Sequence, residues 1–258
     1  MKVFLSAIEN STSSKNSNGT VNVARLLVQQ GIKMKYNLMS YFYIRKQKDL
    51  CFFIRDNTDE ILIDSGAHSF QKGVKVDWDK YTDEYANFIK AFDRPNVVGY
   101  FEMDVDNIIG YEKVLELRKK LEAVSDKIIP VWHKNRGIEE YKKMCKEYAG
   151  KVIAITGFKN EDIKDEQYLM FVKYAKKYNC KVHCLGMTRK KVLDKVPFDY
   201  VDSSSWVQAS VYGRIGNKGK VTREFSKNHR EKVFIENYKE GIKMQNHYYN
   251  KWKNVCKD

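Results

Sequence analysis

The sequence predicts an α/β chain folded as a (β/α)8 barrel of the TIM type. Three observations lead there. Short apolar runs recur eight times between Val3 and Val201, each the length of a buried strand. Helix-patterned segments separate most of them, which implies a parallel sheet. The runs also end repeatedly in Asp, His or Gly, and in a barrel those ends converge on the face where sites are built. An open doubly wound sheet is the competitor. Neither G-x-G-x-x-G nor G-x-x-x-x-G-K-[ST] follows the first run to support it.

Each element has its own signal. Val3–Ile8 is an apolar first strand, followed by a polar Asn- and Ser-rich loop, Glu9–Gly19. Val21–Gln30 carries helical spacing and stops at Gly31. Tyr36–Ile44, apolar and aromatic, supplies the second strand, and Ile61–Ile63 the third. A helix over Tyr81–Phe92 ends before Pro95, and Val97–Met103 is the fourth strand. Ile108–Leu121 is a Glu- and Lys-rich helix, and Ile128–Trp132 the fifth strand. Ile138–Tyr148, Gln167–Tyr178 and Arg189–Lys195 are helices that alternate with strands at Lys151–Thr156, Lys181–Leu185 and Phe198–Val201.

With 258 residues, three prolines and no Gly/Ser-rich linker, the chain reads as a single domain. The barrel runs to about residue 210, and a basic C-terminal helical extension follows from about residue 211. The net charge is +14, and residues 210–258 hold 12 Lys or Arg against 5 Asp or Glu, half of the excess. Such a balance points to a polyanion partner, because Lys and Arg release counterions from phosphates. It also fits a Lys-rich surface that only aids solubility. No amphipathic basic helix marks a membrane surface, no apolar run approaches a membrane span, and no secretory leader precedes Val3. Cys51, Cys145, Cys180, Cys184 and Cys256 are scattered without a C-x-x-C pair, which suits buried thiols in a reducing cytoplasm better than zinc or disulfides.

The strand ends carry the chemistry. In order they are Asp64, Asp104 with Asp106, His133, Gly157, Gly186 and Asp202. Carboxylates from three strands in one pocket suit work at a sugar C1, where one attacks and another moves protons. Each alone also fits a helix cap or a solvated turn. Small residues at Gly157 and Gly186 leave room for a flat ligand. Trp206 reads as core or as a stacking platform. His133 and His183 read as satisfied structural histidines, because no third ligand is spaced to join them.

Asp64-Ser65-Gly66-Ala67, Met103-Asp104, Ile155-Thr156-Gly157, Leu185-Gly186-Met187 and Val201-Asp202 together resemble the strand-end motifs of the tRNA-guanine transglycosylase superfamily. Pro130-Val131-Trp132-His133, His183–Met187 and Val201–Trp206 are most similar to its compact phage and bacterial branch of DNA-guanine transglycosylases. The resemblance covers roughly residues 61–212. It implies exchange of guanine in DNA for a free 7-deazaguanine base such as preQ0, in the cytoplasm of a phage-infected bacterium, with no cofactor. Exchange in tRNA or another RNA is the alternative, and a non-catalytic nucleic-acid-binding barrel is a third reading.

By that resemblance Asp202 is the nucleophile on C1′ and Asp64 the general acid/base. Asp104 reads the guanine edge, with Ser65, Gly66, His68, His133, Gly157, Gly186 and Met187 forming the base pocket. Ser203, Ser205, Trp206, Arg214, Lys218, Lys220 and Arg223 would hold the nucleic acid, joined by Lys227 and Arg230. Extraction of the base from the duplex is required, since C1′ is shielded in the stack. Two departures stand out. The tRNA enzymes carry a zinc-binding Cys cluster near the C-terminus, whereas Val211–Asp258 has only Cys256, so no zinc subdomain is expected. His68 stands where the family usually has an aromatic residue. A monomer is the favoured state.

Overall fold

The computed structural model describes residues 1–14, 19–70, 76–156, 163–216 and 219–256. Nine parallel strands are ordered as one nearly closed barrel sheet: β1 (Lys2–Ser6), β2 (Met34–Ser40), β3 (Thr58–Asp64), β4 (Val97–Phe101), β5 (Ile128–Ile129), β6 (Val131–Trp132), β7 (Val152–Thr156), β8 (Lys181–Leu185) and β9 (Tyr200–Ser203). The order across the sheet is β5-β4-β3-β2-β1-β9-β8-β7-β6, so its two outer strands are neighbours in the chain. The helices are α1 (Val23–Gln29), α2 (Tyr41–Ile44), α3 (Lys48–Asp56), α4 (Trp78–Phe92), α5 (Asp106–Ile109), α6 (Tyr111–Glu122), α7 (Gly137–Glu147), α8 (Tyr168–Lys176), α9 (Lys190–Leu193), α10 (Ser205–Val211), α11 (Arg223–Asn228) and α12 (Arg230–Trp252). The architecture is TIM-barrel-like.

The pleat explains the layering. Successive side chains on a strand point to opposite faces. Phe4, Leu38, Leu62, Phe101, Ile129, Val131, Ala154 and Tyr200 form one small cluster that fills the barrel interior. Their neighbours Leu5, Ile61, Ile63, Ile153, Ile155 and Val201 face outward into two larger clusters shared with the helices. One pleat period beyond the interior layer, toward the C-terminal ends, come Ser6, Ser40, Asp64, His133, Thr156 and Asp202. The apolar plug is therefore floor to a polar ring.

Several elements differ from expectation for identifiable reasons. The apolar run Tyr36–Ile44 is not one strand, because β2 stops at Ser40 and α2 begins at Tyr41. Tyr41 and Ile44 are three residues apart and both buried, so the run changes period from two to helical without losing hydrophobicity. Gly110, at φ 82, splits the helix expected over Ile108–Leu121 into α5 and α6. The last strand is displaced to Tyr200–Ser203, and helix α3 has no counterpart in the expected elements.

Pro130 divides the fifth strand, because it has no N–H to give the ladder. Glu102 restores the seam. Its carboxylate accepts the Val131 N–H at 2.6 Å, and its own N–H donates to Ile129 O at 3.1 Å. Arg118 of α6 then grips Glu102 with two bonds of 2.5 and 3.1 Å, both side chains being buried. Burial pushes the Glu102 carboxyl up, and the Arg118 guanidinium opposes that rise.

The C-terminal stretch is wall rather than appendage. Phe234, Tyr238, Gln245 and Tyr248 of α12 are buried. Gln245 donates to Val3 O and Tyr36 O, each at 2.9 Å, and Tyr238 to Asn37 Oδ1 at 3.0 Å. Gly241 lies against Leu5, where a Cβ would come within 2.7 Å of Leu5 Cδ1.

Candidate active site

Asp202 is the most constrained of the ring carboxylates. Its Oδ1 accepts the Gly186 N–H at 2.8 Å and bonds His183 Nε2 at 2.9 Å. Its Oδ2 accepts the Ser6 hydroxyl at 3.1 Å. Donors from β1, β8 and the turn after β8 thus fix one carboxylate that keeps 14% of its side-chain surface open. Gly186 reaches it in the left-handed region, at φ 62, where glycine carries no Cβ penalty. His183 is fully buried one layer down, between Phe4, Phe101 and Tyr200. Its Nδ1 has no hydrogen-bond partner among the described residues, and its Nε2 faces the Asp202 carboxylate, an acceptor, to which an Nε2–H donates.

Trp206, expected at the nucleic-acid face, is a core residue. It is buried, stands edge-on to Phe234 and Tyr238, and donates its indole N–H to Ser6 O at 2.9 Å. It steadies the residue that steadies Asp202. Met187, expected to wall the base pocket, lies buried in the cluster outside β8. Ser203 is likewise buried and shares a 2.7 Å bond with Ser205, closing the turn into α10.

Asp64 sits at the end of β3, in register with Ser40 of β2. Its Oδ2 accepts the Gly66 N–H at 2.9 Å, a tight turn that holds Gly66 at φ 73. Tyr81 donates to Ser65 O at 2.7 Å and anchors the same turn from α4. A Cβ on Gly66 would meet Ser40 Oγ at 2.6 Å and Phe42 N at 2.7 Å. Gly66→Ala is therefore expected to lose roughly 2 kcal/mol or more, from the left-handed backbone and the overlap together. Denaturant unfolding checks this; an unchanged midpoint contradicts the packing described. The side chain of His68, and all of Gly157 and Lys218, lie outside the described residues.

Glu9 is a carboxylate the sequence did not single out. It follows β1 in a short 3-10 turn, Ile8–Asn10, and is buried. Oε1 accepts the Ser40 N–H at 3.1 Å, while buried Oε2 has no hydrogen-bond partner among the described residues. Burial, with a smaller push from the Asp64 charge, raises its carboxyl from 4.5 to about 7. The proton on Glu9 therefore stabilises the fold fully below the unfolded value of 4.5, and that stability is lost as pH rises through 7. The contribution is about 3 kcal/mol at most. Glu9→Gln is expected to flatten the fall in stability between those two values in chemical unfolding followed across pH. A slope unchanged from the wild type contradicts this.

Asp104 bonds His133 Nε2 at 2.6 Å. Asp104, Asp106 and His133 bring three ligand-type atoms within 4.8 Å of one another. Arg136 already supplies positive charge there, with Nε 2.9 Å from Asp106 Oδ2 and Nη2 3.9 Å from Asp104 Oδ1. Its guanidinium stacks on Tyr111 at 4.2 Å and donates to Val131 O. The arrangement suits a neutralised carboxylate held for hydrogen bonding better than a divalent cation.

The clefts beside this ring are basic. Tyr212, Lys220, Arg223, Lys227 and Arg230 line one of about 430 Å³. Lys227 and Arg230 also line a second, of about 770 Å³, with Thr12, Ser13 and Ser14. Ser14 donates to Lys227 O at 2.7 Å, and Arg230 to Thr12 O at 3.1 Å. These segments follow the C-terminal ends of β1 and β9, so the clefts flank the side of the barrel that carries Asp202. Arg214, Lys220 and Arg223 are exposed, and Tyr212 is 69% exposed. Tyr212 offers the open aromatic face that Trp206 does not.

All five cysteines are buried and free, and no helix among the described residues is long and apolar enough to cross a membrane. Searches against protein-family models, curated proteins and solved structures each returned no match.

Proposed function

We propose that this chain is a DNA-guanine transglycosylase built on a (β/α)8 barrel, with Ile128–Trp132 counted as one strand interrupted at Pro130. The observation that carries the reading is the three-donor cradle around Asp202, on the same ring as Asp64 and as His133, which bonds Asp104. A nucleophilic carboxylate needs fixed direction and one accessible oxygen. Bonds from His183, Gly186 and Ser6 supply the direction.

In the first half-reaction an oxygen of Asp202 bonds to C1′ as the C1′–N9 bond of guanine breaks. Asp64 gives the departing base its proton. The incoming 7-deazaguanine base then loses its N9 proton to Asp64, N9 bonds to C1′, and the ester to Asp202 breaks. Protons and electrons balance over the cycle, so no cofactor is consumed. Asp104, fixed by His133 and flanked by Arg136, would accept hydrogen bonds from the edge of the base. Lys220, Arg223, Lys227 and Arg230 would hold phosphates around the extruded nucleotide, with Tyr212 available to stack.

The test is incorporation of labelled 7-deazaguanine bases into duplex DNA, with tRNA assayed in parallel. Label entering DNA is expected. Label entering tRNA alone reassigns the substrate. Binding without exchange to either supports a non-catalytic nucleic-acid-binding barrel instead.

A further inference from the structure

Among the buried titratable groups that the exchange reaction leaves unused, Glu9 lies nearest to its chemistry. Ala7 holds a left-handed backbone at φ 68, a conformation costing a non-glycine residue about 1 kcal/mol. That bend follows Ser6 directly and leads into the turn carrying Glu9 beneath β2. Glu9 Oε1 binds the Ser40 N–H. Ser40 is the register partner of Asp64, and its Oγ packs against Gly66, whose N–H binds Asp64 Oδ2. Ser40 thus stands between two carboxyls. Two buried polar atoms of these residues, Glu9 Oε2 and Ser40 Oγ, have no hydrogen-bond partners among the described residues. Buried polar atoms left unpaired are rare, and each calls for an explanation.

We infer that Glu9 is the proton-holding partner of Asp64, the two carboxyls sharing one proton across Ser40; this rests on the exchange reaction proposed above. Like charges this close to a common residue do not ionise together easily, and the more buried member keeps the proton. Before guanine leaves, the proton sits on Glu9. It passes to Asp64 by way of the Ser40 hydroxyl, which bonds neither carboxyl at rest and must turn to bridge them, and then to the departing base. Both carboxyls are then charged, and their mutual repulsion makes Asp64 a stronger base. The incoming base surrenders its N9 proton to Asp64, and the pair returns to its starting state. No proton is gained or lost over the cycle.

Other titratable or charged groups lie on or beside the helices packed against this turn, α1, α2 and α3. Cys51 of α3 is one, its thiol raised mainly by burial and further by Glu9. Tyr41 of α2 is pushed up to about 12, mainly by burial. Arg45 follows α2 and lies over the rings of Phe42 and Tyr81, and Arg25 of α1 lies over Phe53. None of them bonds the Glu9 carboxylate; Ser40 N–H does.

The experiment is infrared difference spectroscopy of the carboxyl C=O stretch in the free full-length protein, titrated from acid to alkaline pH. A buried protonated carboxyl is expected to titrate near neutrality, to vanish in Glu9→Gln, and to shift to lower pH in Asp64→Asn, which removes the neighbouring charge. A Glu9 signal that ignores Asp64→Asn overturns the pairing, and that variant keeps the test alive if Glu9→Gln does not fold. In the exchange assay Glu9→Gln is expected to lower kcat at least about tenfold with KM unchanged and to move the pH profile. Ser40→Ala is expected to slow turnover while leaving the Glu9 signal in place. A coupled infrared titration in a protein that exchanges no base would refute the transglycosylase reading and keep the pair. Active enzyme with no coupling would do the reverse.

Discussion

Asp202→Asn is expected to lose base exchange by roughly 10³-fold or more while the protein stays folded. The amide is nearly isosteric with the carboxylate, so Ser6, His183 and Gly186 keep most of their contacts. It has no charge with which to form an ester at C1′. The partly open position of Asp202 limits the stability cost of the change. Nucleic-acid affinity should survive, because the basic clefts lie on other segments. Rate measurements alongside salt-dependent binding separate these outcomes. A variant retaining wild-type exchange rates excludes Asp202 as the nucleophile.

Arg118→Ala is expected to destabilise the fold by about 3–5 kcal/mol, because it strands a buried carboxylate. Glu102 is fully buried, and the next guanidinium, Arg136, stands 3.9 Å away. For a chain of this size the loss lowers the thermal midpoint by roughly 10 °C. The position matters because Glu102 also stitches Val131 to β4 where Pro130 cannot. Replacing both partners together, as Glu102→Met with Arg118→Met, should recover part of the loss but not all of it. The apolar pair removes the uncompensated charge, yet leaves the Val131 N–H without its acceptor. Thermal and denaturant unfolding of the three proteins checks the order: wild type, double variant, Arg118→Ala. A double variant as stable as the wild type would show that the Val131 bond contributes nothing to closure.

Much of the barrel was legible because strand and helix periods are written in apolar residues. Asp64, Asp104, His133 and Asp202 could be placed at strand ends for that reason. Where one apolar run served two periods, as at Tyr41–Ile44, hydrophobicity alone gave no boundary. Pro130 was visible but lay inside a run whose flanks still read as strand. The C-terminal helix read as a basic tail because charge outweighs its apolar face. Yet Phe234, Tyr238, Gly241, Gln245 and Tyr248 recur at alternating steps of four and three, a buried-face pattern. Ser6 was discoverable, two residues beyond interior Phe4. His183 read as a satisfied structural histidine, but its burial and its hold on Asp202 needed the fold. Glu9 carried no signal. A single carboxylate at the head of a polar loop reads as solvated, and only the bend at Ala7 turns it inward. Met187 went the other way, and Trp206 could be read as core or as platform, since motif position says nothing about which face of the wall a side chain occupies.

The central claim is a covalent Asp202–nucleotide intermediate. It is tested most directly by mixing the protein with duplex DNA in the absence of a replacement base, quenching under denaturing conditions, and mapping any protein–DNA adduct by mass spectrometry. The expected result is a base-free nucleotide esterified to the peptide containing Val201-Asp202, discharged on adding a 7-deazaguanine base. An adduct on another residue, or base exchange that proceeds undiminished in Asp202→Ala, would contradict it.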